Sequence, residues 1–148
     1  MTALGDFSAG DVLTAADLNA IGTWTSYTPT TTNFTATFND TEYLQINDWV
    51  HFRGAVGLTS NPTAGMYISV PVAASEPTFN WTRYSSTVGA HDASTGTWYP
   101  GNYVSFSDAN TITFANAAIT SQFNATVPFT WTAADGDFIQ FSMIYRAA

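Results

Sequence analysis

Apolar and polar residues alternate with a period of two over most of this chain, the spacing of a strand with one face buried. The clearest case is WVHFRGAVGL, residues 49 to 58. Val50, Phe52, Val56 and Leu58 share one parity and read as core, while Trp49, His51, Arg53 and Ala55 share the other. DFIQFSMIYRA, residues 137 to 147, repeats the pattern: Ile139, Phe141, Met143 and Tyr145 form the better core face, although Phe138 and Ile144 leave the opposite face half apolar. YVSF and TITF, joined by the turn-forming SDAN, predict a hairpin over residues 103 to 114. Shorter strands are expected over 33–38, 66–70, 79–88 and 125–131, the last limited to an edge or bulge by Pro128. Asn39-Asp40 has turn chemistry and predicts a hairpin into residues 41–46. About nine or ten short strands separated by turns predict an all-β, antiparallel sandwich of jelly-roll type. No fixed repeat period favours a solenoid or propeller.

One segment breaks the alternation. LTAADLNAIG, residues 13 to 22, reads as a short helix with Thr14 as N-cap, Leu13 and Leu18 at staple positions and Gly22 as the stop. About two turns of helix do not persist alone in water, so this peg must dock on something, either its own β body or another protein. The chain therefore divides into an arm and anchoring helix, residues 1–22, and a β domain, residues 23–148.

Composition narrows the partners. The 148 residues suffice for one domain with a core, and carry 16% aromatic but only 9% charged residues. Eleven acidic residues against Arg53, Arg83 and Arg146, with no lysine, give a net charge of −8. That balance excludes a nucleic-acid backbone as partner and disfavours anionic membranes. Without lysine to shield them, sheet edges must be short, twisted, covered or paired, which favours a homo-oligomer. There is no cysteine for a disulfide or a thiolate metal site. The N-terminus lacks the pattern of a secretory signal, and no apolar run is long enough for a membrane helix, so a soluble protein made in a cytoplasm is expected.

Catalytic chemistry finds little to work with. His51 and His91 are the only histidines, and neither belongs to a nucleophile-elbow or H-E-x-x-H pattern. No enzyme activity, metal or cofactor is expected. Trp49, His51 and Arg53 combine aromatic and cationic groups on one strand face, which suits a subunit interface better than open solvent. In the least regular third of the chain, Trp81, Tyr84, Trp98 and Tyr99 lie close in sequence to Arg83 and Asp92. Aromatic faces with short polar side chains form a reasonable sugar-binding surface, although core or subunit contacts account for most such residues.

Four segments, taken in order, carry a resemblance: FSAGDVLTAADLNAIGTWTSYTPT (7–30), WVHFRGAV (49–56), MYISVPVAA (66–74) and PFTWTAADGDFIQFSMIYRA (128–147). The chain resembles minor structural proteins of tailed bacteriophages, in which a VLTAADLN opening leads into a β domain. The match is weakest over residues 77–124. What the resemblance implies is a virion protein made in a bacterial host, a trimeric β module fixed to the particle by its N-terminus. Phe7, Leu13, Leu18 and Ile21 then become anchoring residues that meet neighbouring subunits, the major capsid protein or tail proteins. A capsid decoration or cement protein is the leading expectation. A tail fibre or receptor-binding protein for a host surface glycan is the alternative.

Overall fold

A computed structural model describes residues 22–75, 84–116 and 121–148. The expected helix and its anchoring residues Phe7, Leu13, Leu18 and Ile21 lie outside the described residues, as does Trp81.

The described chain is all-β and antiparallel. Its strands are β1 (Thr25–Ser26), β2 (Thr31–Thr32), β3 (Ala36–Ile46), β4 (Trp49–Leu58), β5 (Tyr67–Ser69), β6 (Tyr84–Asp92), β7 (Thr97–Asp108), β8 (Thr111–Asn116), β9 (Ser121–Gln122) and β10 (Phe138–Arg146). They form one sheet in the order β1-β3-β4-β10-β6-β7-β8-β5-β2, with β9 beside β8. The two outermost strands, β1 and β2, are neighbours in sequence, so the sheet must curl until its ends meet. Tyr27, between them, holds the closure: its hydroxyl lies 2.7 Å from Ser69 Oγ and donates to the Val70 carbonyl at 3.0 Å. Each outermost strand is thus two residues long and tied down at once, which leaves little free edge.

Curling turns one sheet into a sandwich-like body with the core inside. Val50, Phe52, Val56 and Leu58 from β4 and Ile139, Phe141, Met143 and Tyr145 from β10 are all buried. They meet β7 and β8 across the interior, with Phe114 5.7 Å from Phe141 and Phe106 5.2 Å from Tyr145, ring centre to ring centre. The alternation in both strands placed the core face correctly, because side-chain direction in a strand depends only on parity. Burial among these rings pushes the Tyr145 phenol above its ordinary ionisation range, and its hydroxyl donates to the Val72 carbonyl at 2.8 Å.

Two local expectations need correction. Asn39-Asp40 does not reverse the chain. It forms a β-bulge within one continuous β3, with two residues (Asp40 and Thr41) set against one (Gly54) and Asp40 at φ +48°. The bulge resets parity, so Phe38 and then Tyr43 both face the core side. The reversal comes at Asn47-Asp48, where Ile46 pairs with Trp49 and Asn47 has φ +53°. Asn and Asp tolerate positive φ, and that chemistry serves bulges as well as turns. Residues 125–131 are not a strand either. Asn124 bridges Val127, and the chain then runs irregularly past Pro128, which has no N–H to give a ladder.

The turn before β10 is fixed by a buried carboxylate. Asp137 accepts from the Thr132 N–H at 2.7 Å and from the Ala93 N–H at 2.9 Å, and its own carbonyl accepts from the Leu58 N–H at 3.1 Å. One residue thereby ties the β6–β7 hairpin, the end of β4 and the start of β10 together.

Candidate functional site

The outer face of β3, β4, β10, β6 and β7 holds every large hydrophobic side chain that is well exposed among the described residues. These are Ile46 (39%), Trp49 (49%), Ile144 (41%) and Trp98 (48%). Strand pairing sorts them into two groups at opposite ends of the face, separated along β10 by about 20 Å at a rise near 3.4 Å per residue.

At the first end, Ile46 is opposite Trp49, and Trp49 is opposite Arg146. The next row runs Leu44, His51, Ile144, and the one after it Glu42, Arg53, Ser142. The three residues expected at an interface from sequence, Trp49, His51 and Arg53, therefore share this face. The structure adds partners that sequence reading did not supply. Trp24 folds over the row, with the Arg53 guanidinium 3.9 Å from its ring centre and the His51 ring 4.9 Å away. Arg53 also bonds Glu42 at 2.6 Å, and Arg146 bonds Asp48 at 3.0 Å. Each described arginine thus stands beside a carboxylate, so this end is apolar and locally neutral on a chain of net charge −8.

His51 Nε2 lies 2.8 Å from Ser142 Oγ. A serine within hydrogen-bond reach of a histidine is half of a nucleophile–base pair, so its surroundings decide its meaning. Burial and then the Arg53 charge hold the His51 imidazole below its ordinary 6.5. The carboxylate of this row, Glu42, is engaged by Arg53. Ser142 sits in the middle of a central strand paired on both sides, so its neighbouring backbone N–H groups lie in ladders and offer no oxyanion hole. The 2.8 Å contact holds the imidazole beneath Trp24.

At the second end, His91, Trp98 and Phe138 form a cluster. The His91 ring lies 4.8 Å from each of the others, and Trp98 meets Phe138 edge-on at 5.3 Å. Nδ1 of His91 is buried with no hydrogen-bond partner among the described residues. Beside this cluster β6 and β7 part. Ala90 pairs with Tyr99 but Val88 pairs with Asn102, which leaves one extra residue in β7 at Pro100–Gly101. The bulge opens a groove of about 300 Å³ lined by Ser86, Thr87, Val88, Gly89, Trp98, Tyr99, Pro100 and Asn102.

Of the four aromatic residues expected to bind a ligand, two line this groove. Trp98 stands on the outer face, while Tyr99, its neighbour of opposite parity, stacks inward on Phe129 at 4.7 Å. Tyr84 lies six residues before Ala90, where β6 begins, and pairs with Tyr145. Asp92 is at the tip of the β6–β7 hairpin, where its carboxyl is held below the usual range, first by the Ser94 hydroxyl, which donates to Oδ1 at 2.6 Å, and then by bonds from Thr95 and the Ser94 N–H. Among the described residues, no three His, Asp or Glu side chains gather as they would around a metal ion.

Compared with known families, curated proteins and solved structures, the chain matches none.

Proposed function

We propose that this chain is a non-enzymatic structural protein of a tailed-bacteriophage virion, an oligomeric and specifically trimeric β module that decorates or cements the capsid. The observation that carries the reading is the gathering of Ile46, Trp49 and Ile144 at one end of one sheet face, beside Arg53 and Arg146 with their carboxylates. Monomeric proteins seldom leave large side chains clustered in water, and a patch of this kind marks a contact surface. Its local neutrality lets strongly acidic copies approach one another or a capsid surface without repulsion. The resemblance of the opening and closing segments to phage structural proteins supplies the assembly in which such contacts are made, with residues 1–22 as the anchor.

A tail fibre or receptor-binding protein is the second reading, and the Trp98 groove favours it. The copy number per purified particle, measured by mass spectrometry against the major capsid protein, separates the two. Hundreds of copies fit decoration of the head. A handful in multiples of three fits the tail. Absence from particles overturns both.

A further inference from the structure

We propose that the groove between β6 and β7 is a binding site for a neutral sugar, with Trp98 as the stacking platform. The inference holds wherever the protein sits and does not rest on the virion reading.

The platform is built rather than incidental. The Trp98 indole crosses β6 at Gly89, and a Cβ there would stand 2.9 Å from its Cζ3. Only glycine lets the ring lie that close to the strand. His91 and Phe138 brace it from the side, at 4.8 and 5.3 Å. A large aromatic side chain braced by these contacts, yet still 48% exposed, presents a face that loses less entropy on binding than a free one. The β7 bulge then creates the concavity next to that face, a device that recurs beside functional sites.

The lining selects the ligand. None of the eight lining residues is Asp, Glu, His, Lys or Arg, although the chain as a whole is strongly acidic. A phosphate-bearing ligand would find no cation in the lining, and a quaternary ammonium would find only the open face of Trp98, with Tyr99 stacked inward on Phe129, and no carboxylate. A pyranose has what the groove can match: a C–H face for the indole and hydroxyls for short polar groups. Thr87 is exposed at the rim, and the Ser86 hydroxyl already accepts from the Val104 N–H at 3.0 Å, which leaves its proton free to donate. Asn102 plays a different part. Its Oδ1 accepts from Asn116 Nδ2 at 2.7 Å and its Nδ2 donates to the Tyr99 carbonyl, so it fixes the bulge. A volume of about 300 Å³ is at the small end for ligand sites and fits one terminal sugar unit.

The test uses the full chain and the methyl glycosides of glucose, galactose, mannose and N-acetylglucosamine, with saturation-transfer NMR to detect contact and titration to obtain affinity. At least one neutral glycoside is expected to bind in the millimolar range, and Trp98→Ala to weaken it about tenfold, the scale of one lost aromatic contact. Trp98→Phe is expected to retain part of the affinity, and Gly89→Ala to lose it by displacing the indole. Thr87→Val, which keeps shape and removes a rim hydroxyl, gives a test that does not disturb the aromatic cluster. No contact with any of the four sugars at about 50 mM, where millimolar sites saturate, overturns the proposal. So does sugar binding that Trp98→Phe and Thr87→Val leave unchanged, or binding of methyl glucuronide in preference to every neutral sugar. A change of oligomer mass in Trp98→Ala with no sugar bound by the parent chain also overturns it, and assigns Trp98 to a contact between copies.

Discussion

A Cβ placed on Gly54 would stand 2.8 Å from the Cα of Thr41 and 2.5 Å from its Oγ1. The bulge of β3 presses its backbone against β4 at this point, and glycine is the residue that lets it. Gly54→Ala is therefore expected to destabilise the fold by about 1–3 kcal/mol, the cost of overpacking against main chain. Gly57 offers the contrast. There the nearest atom is the Thr37 hydroxyl at 3.1 Å, a side chain able to turn away, so Gly57→Ala should cost less than about 1 kcal/mol. Urea unfolding of both variants measures the difference, and equal losses would show that the bulge contact is not tight.

Asp137 is the buried polar group whose loss should be felt furthest. Replacing it with alanine removes the acceptor of two backbone N–H groups, from Thr132 and Ala93, in a site with little water. At about 1.5–3 kcal/mol for each hydrogen bond to a charged group, Asp137→Ala should lose about 3 kcal/mol or more. Asp137→Asn should lose less, because its amide oxygen still accepts one bond while its NH₂ faces a donor. Thermal unfolding followed by circular dichroism checks the order of the two variants.

His51 makes stability depend on pH in a predictable direction. Its folded imidazole is held below the ordinary 6.5, first by burial and then by Arg53. Above about 6.5 the imidazole is neutral in folded and unfolded chains, and the group contributes no pH dependence. As the pH falls through that value the unfolded chain takes a proton that the folded chain refuses, so the folded state loses stability until the lowered folded value is passed. The groups around it are Arg53, which opposes protonation, and Glu42, which is engaged with Arg53. The midpoint of urea unfolding should fall between pH 7.5 and 5.5, and the fall should shrink in His51→Gln. An NMR titration that placed the folded His51 above 6.5 would contradict this account.

Ile144→Glu separates folding from assembly. The side chain points outward from the central strand and is 41% exposed, so the monomer fold should change by no more than about 0.5 kcal/mol. A charge at the centre of the apolar patch should reduce the oligomer mass in light scattering, or abolish attachment to particles. Arg53→Ala should cost the fold less than about 1 kcal/mol, since its ion pair and its stacking on Trp24 are both at the surface. If neither variant alters assembly, the patch is not the contact surface.

Removal of residues 1–22 is expected to leave a folded β domain that no longer attaches to particles. Circular dichroism and a particle-binding assay read the two properties separately. Loss of folding would assign this segment to the domain's own core and end its reading as an anchor.

Much of this protein is written in local sequence. The parity of residues 49–58 and 138–146 picked out the buried faces of β4 and β10, and the same parity grouped Trp49, His51 and Arg53 on the opposite side. The turn residues of 107–110 marked a hairpin that does form. These features are legible because a strand's alternation and a turn's φ preferences act over only a few residues.

Other features depend on which strands become neighbours. Asn39-Asp40 has the same chemistry whether it turns the chain or bulges a strand, and only the nine-row pairing of β3 with β4 decides between them. Trp98 and Tyr99 are adjacent in sequence, yet consecutive residues of a strand face opposite ways, so one reaches the surface and the other turns toward the core. Ile144 becomes part of a patch with Ile46 and Trp49 because β10, last in sequence, inserts between β4 and β6. The sequence alone determined the β class, the core parity and the charge balance, all set by residues near one another in the chain. The tertiary structure decided the closure through Tyr27, the two ends of the outer face and the groove under Trp98, because each joins residues that only long-range strand pairing brings within reach.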